Sequence, residues 1–73
     1  MPARLRDLIR AAAALGVTVE RPRSGSHWKA RRDGFRPYPI PAGNAERTEI
    51  GDQYIRGMCR ALGLDETELR KLL

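Results

Sequence analysis

The chain has 73 residues, a formal net charge of +5, 41% hydrophobic residues and one cysteine. Its length allows a single small domain with a modest core. One cysteine excludes an intramolecular disulfide, and the longest apolar stretch, Ala11 to Leu15, is far short of the roughly 20 residues that span a bilayer. A soluble protein in a reducing, cytoplasmic setting is expected, with Cys59 acting as a small buried hydrophobe.

The position of the charge says more than its sum. Residues 1–36 hold nine Lys or Arg against three Asp or Glu, whereas residues 37–73 hold five against six. Twelve of the fourteen cations are Arg, the side chain suited to bidentate phosphate contacts. A basic field confined to one half suggests a polyanion such as nucleic acid, or else a solvated arginine-rich surface.

Leu5, Leu8, Ile9, Ala12 and Leu15 recur at the spacing of one helix face, which predicts a helix over 3–15. Pro2 suits its first turn and Gly16 its C-terminal stop. Val17 to Glu20 alternates and predicts a strand with Val17 and Val19 inward. Pro22 to Gly25 reads as a loop.

His27 to Arg32 predicts a second strand. Side chains alternate across a sheet, so Trp28 and Ala30 should face the core, and His27, Lys29 and Arg31 should point outward together. Asp33-Gly34 predicts a two-residue hairpin with both turn residues at positive φ, pairing this strand with Phe35–Ile40. Pro37, Pro39 and Pro41 remove donors from one side only, so the third strand should be a sheet edge; a polyproline segment is the competing reading. Tyr38 is expected in the core.

Ala42 to Glu49 is polar and irregular. Tyr54, Ile55, Met58, Cys59 and Leu62 then form an apolar helix face, with Asp52 as N-cap and Gly63 as stop. Met58 reads as core filler, and Arg56, Arg60, Arg70 and Lys71 as surface. Asp65 with Glu68 fits a capping pair for a short terminal helix carrying Leu69, Leu72 and Leu73. The order predicts an α+β fold: a two-layer sandwich with a three-stranded antiparallel sheet, helices on one face, and a short extra C-terminal helix. The other sheet face stays open.

His27 is the one histidine. An imidazole beside Lys29 and Arg31, after the flexible Ser24-Gly25-Ser26, can move protons in a phosphate site. Glu20 and Asp33 are the acids near the strands, and their spacing does not suit a two-metal centre. A metal-free site with no cofactor favours RNA, whose own 2′-OH is the nucleophile. His27 would take that proton or protonate the leaving oxygen, and Lys29 and Arg31 would stabilise the charged phosphorane. Ser26 could orient the imidazole, and Arg21 and Arg23 either contact phosphates or are solvated. No obvious second acid or base accompanies His27. Trp28 could stack on a base, but its face argues for the core.

Several of these stretches, in order, resemble the HicA toxin family. They are Ser24-Gly25-Ser26-His27, Tyr38-Pro39-Ile40-Pro41 with Asn44, and the helix Gly51 to Leu62 with its Gly63-Leu64 exit. Trp28 after the histidine and the proline-rich third strand depart from the family pattern. The resemblance implies a double-stranded-RNA-binding-like α-β-β-β-α fold and an endoribonuclease acting on mRNA, the toxin of a type II toxin–antitoxin system. It also implies His27 as catalytic residue and a HicB-like antitoxin partner. Alternatives are a non-catalytic RNA-binding module of the same fold, or a module that binds only the antitoxin.

Overall fold

The computed structural model describes residues 1–25, 27–42 and 46–73. The element order is β1 (Ala3–Arg4), α1 (Leu5–Ala14), β2 (Thr18–Glu20), β3 (His27–Arg31), β4 (Tyr38–Pro41), β5 (Glu49–Ile50), α2 (Asp52–Ala61) and α3 (Glu66–Lys71). Among the described residues β2, β3 and β4 form a three-stranded antiparallel sheet in that spatial order, and β1 pairs with β5 in a separate two-stranded ribbon.

This is the expected α+β protein, with one pair of strands added. The β1–β5 ribbon, absent from the pattern reading, explains two departures. The predicted helix start at residue 3 gives way to Leu5, and Pro2 falls outside the first turn. Arg4 caps α1 without a side-chain bond. The amides of Leu5 and Arg6 instead donate to the carbonyls of Thr48 and Glu46, at 2.9 and 2.8 Å, on the approach to β5. Backbone carbonyls thus do what a Ser or Asp cap usually does.

The C-terminus of α1 ends as expected. Gly16 takes φ +83, its amide bonds Ala13 O, and the Val17 amide bonds Ala12 O. Gly63 closes α2 in the same manner, with φ +67 and the Leu64 amide on Cys59 O. Both are Schellman closures, which need a left-handed residue that glycine adopts without strain. At the other end of α2, Gly51 is the N-cap rather than Asp52, which occupies the first helical position. Asp65 caps α3 as expected, accepting from the Glu68 amide at 3.1 Å. That helix buries only Leu69; Leu72 and Leu73 lie past its end and are exposed.

The hairpin differs from expectation in turn type and width. Only Gly34 is left-handed, at φ +85, and β4 begins at Tyr38 rather than Phe35. The intervening residues are otherwise engaged. Arg32 reaches out of the sheet to donate to Leu62 O at 2.6 Å and Gly63 O at 3.2 Å, filling the open carbonyls at the end of α2. Phe35 lies 5.0 Å from that guanidinium, outside the strand.

The core gathers one side of the sheet with the apolar faces of the helices. Val19, Trp28, Ala30 and Ile40 are buried with Leu5, Leu8, Ala12, Ile55, Met58, Cys59, Leu62 and Leu69. Tyr38 is half-buried against this cluster. Its phenol lies where a Cβ on Gly57 would stand, so α2 approaches β4 through a glycine. Burial also holds the Cys59 thiol above its ordinary pKa of 9.0, with the Glu66 charge adding to the effect. Among the described residues no helix is long and apolar enough to cross a membrane.

Candidate functional site

Burial on β3 alternates strictly: His27, Lys29 and Arg31 are exposed, while Trp28 and Ala30 are buried, Trp28 at 3%. The period of two therefore decides which side chains can meet a ligand. The register completes the outward face. Thr18 stands opposite Arg31, Glu20 opposite Lys29, Pro39 opposite Lys29 and Pro41 opposite His27. The strand carrying His27 is thus central, flanked by prolines on one side and by Thr18 and Glu20 on the other. β4 is a sheet edge, as its prolines require.

An open cleft of about 440 Å³ lies where this face meets the loop after β2. It is lined by His27, Lys29, Arg31, Arg21, Arg23, Ser24, Pro22 and Glu20. Six candidate residues from sequence are therefore brought together. Gly25 is exposed beside them with φ +80, a backbone conformation that a larger side chain would strain. Ser26 lies outside the described residues, as does Asn44.

The four cations of the cleft fall into two kinds. Arg31 bonds Glu20 through Nε at 2.7 Å, and Arg21 pairs with Glu46 at 3.0 Å while its guanidinium lies 4.7 Å from the centre of the Trp28 ring. Both ion pairs are about half exposed, and such pairs contribute only about 0–1 kcal/mol. An incoming phosphate can compete for these arginines. The side chains of Lys29, Arg23 and His27 make no hydrogen bond or ion pair among the described residues. Positive charge therefore exceeds negative charge around an exposed imidazole. Such a surplus attracts anions.

Glu20, read from sequence only as an acid unsuited to a two-metal centre, lines this cleft as well. Alternation along β2 placed it outward, but the register that sets it beside the histidine strand depends on how β2 and β3 pair across a loop. Two larger clefts do not include His27. One, of about 660 Å³, lies at the hairpin end and shares Glu20 and Arg31 as its wall with the histidine cleft. The other, of about 550 Å³, is formed by residues 1–4, Asp7, Glu49, Arg70 and Leu73. Among the described residues no three of His, Cys, Asp and Glu come together as a metal centre would require. No family model, curated protein or solved structure matches the chain.

Proposed function

We propose that the chain is a metal-independent endoribonuclease acting on mRNA, the toxin of a HicA-type toxin–antitoxin pair, with His27 as catalytic residue. The observation that carries this reading is one exposed imidazole in a cleft with four cations, on a sheet face that no other described element covers. RNA supplies its own nucleophile, so the protein needs only to move a proton and stabilise charge. The 2′-oxygen attacks phosphorus, the bond from phosphorus to the 5′-oxygen breaks, and a 2′,3′-cyclic phosphate and a 5′-hydroxyl remain. Lys29, Arg23 and Arg31 stabilise the doubly charged phosphorane.

In this reading the helices back the buried face of the sheet in two layers, as in double-stranded-RNA-binding-like folds. The exposed face is then left for RNA or for a HicB-like antitoxin that blocks it. A cytoplasmic location follows from the same reading, because mRNA is the substrate.

The test is cleavage of total RNA with EDTA present, followed by analysis of the ends. Wild type should cleave and leave 2′,3′-cyclic phosphates. His27→Ala should keep its circular dichroism and melting temperature while losing on the order of 10²–10⁴ of the rate. RNA binding without turnover, unchanged in His27→Ala, would make the chain a binding module instead. No RNA affinity at physiological salt would leave only the antitoxin-binding role.

A further inference from the structure

Glu20 stands on the exposed side of β2, opposite Lys29. On one face of an antiparallel pair, residues diagonal to each other lie about 7–8 Å apart. The two β3 residues diagonal to Glu20 are Arg31 and His27. Toward Arg31 the diagonal closes into the 2.7 Å ion pair; toward His27 the two residues line the same cleft. Glu20 is the one carboxylate among the described residues lining that cleft. Arg31 Nε bonds its Oε1 at 2.7 Å, and both side chains are about half exposed. The carboxylate is thus oriented from the Arg31 side and still open to solvent.

Both groups line one open cleft on the same sheet face, so a phosphodiester lying in it would meet both. We propose that Glu20 is a second catalytic residue, the general base that partners His27 as general acid. This rests on the ribonuclease reading. The Glu20 carboxylate takes the 2′-OH proton, and the freed electron pair forms the bond to phosphorus. The bond from phosphorus to the 5′-oxygen breaks, and the His27 imidazolium gives its proton to that oxygen. The cycle leaves Glu20 protonated and His27 neutral, and one proton exchange with water resets both.

Glu20 is paired with Arg31 and stands opposite Lys29 on β3, and Arg21 and Arg23 of the following loop line the same cleft. Facing His27 are Lys29, Arg23 and Ser24, and Pro41 from β4. Arg21 is itself paired with Glu46. Among the described residues Glu20 is the one carboxylate and His27 the one imidazole lining the cleft.

The experiment is single-turnover cleavage of a mixed-sequence single-stranded oligoribonucleotide from acid to alkaline pH. Wild type should give a bell. Glu20→Gln should lose the acid-side limb and on the order of 10²–10⁴ of the rate, while Glu20→Asp recovers the limb and part of the rate. Arg31→Ala breaks the same ion pair yet should keep the acid-side limb, which separates proton transfer from positioning. If Glu20→Gln keeps that limb and slows no more than Arg31→Ala, Glu20 only holds Arg31 in place and the proposal is overturned with the ribonuclease reading intact. If wild type cleaves nothing, both fall together.

Discussion

Arginines meet acids in two parts of this chain, with opposite results. At the corner where the N-terminal residues, α2 and α3 come together, Arg70 is only 26% exposed and donates to Met1 O at 2.6 Å, Glu66 at 2.9 Å and Asp52 at 3.1 Å. The amino group of Met1 also reaches Asp52, at 3.0 Å. On the outward face of the sheet, four cations border one lining carboxylate, and the ion pairs there are half exposed. In the first place the geometry closes and cations and carboxylates pair with one another. In the second a surplus is left facing solvent. Both regions border clefts and both are rich in arginine, so neither composition nor cavity size tells a fastening from a site. In the reading proposed above, the uncancelled charge does.

Arg70→Ala should give the largest stability effect of the two regions. It removes donors from two carboxylates and a carbonyl in a half-buried setting, at a cost of about 1–2 kcal/mol. In a domain this small each kcal/mol lowers the melting temperature by roughly 4–8 °C. The rate of RNA cleavage per folded molecule should stay at the wild-type value. Lost cleavage at an unchanged melting temperature would break the contrast, because it would place Arg70 at the site and not in the scaffold.

Lys29→Ala and Arg23→Ala should do the reverse. Each side chain is exposed and unengaged among the described residues, so stability should change by less than about 0.5 kcal/mol. Each should weaken binding of a single-stranded oligoribonucleotide and flatten the plot of log affinity against log salt by about 0.7 if it contacts one phosphate. An unchanged slope would remove that residue from the interface.

The sequence made the second region easier to read than the first. Alternation along residues 27–31 separates Trp28 from His27 without any knowledge of the rest of the chain, and the prolines at 37, 39 and 41 forbid a further neighbour for β4. Glycine at 16 and at 63 marks the helix ends because the closing turn demands a left-handed residue. What escaped depends on parts distant in the chain. Two-residue strands such as β1 and β5 have no period to detect. Arg32 looked like the last residue of a strand until α2 presented its carbonyls. Gly57, a poor helix residue by itself, makes sense only once the Tyr38 phenol lies across it. Glu20 was visible as an acid, but its place beside His27 depends on a register set across the β2–β3 loop.

The smallest effect concerns acid. The Asp52 carboxyl is held below its ordinary pKa of 3.8, chiefly by the hydrogen bond from the Met1 amino group; desolvation opposes this, and the Arg70 hydrogen bond adds to it. A carboxyl whose pKa is depressed on folding binds fewer protons in the folded chain than in the unfolded one. Its contribution is therefore complete above the unfolded value and is lost as pH falls from about 3.8 through the lower folded value. Melting temperatures of wild type and Asp52→Asn should differ by a constant amount near neutrality, and the difference should close as the pH drops below about 4. A gap that persists in acid would mean that Asp52 acts at the start of α2 through hydrogen-bond geometry that asparagine cannot copy, rather than through charge. The corner would then be fastened by shape, and cancellation of charge would no longer be what separates it from the sheet face.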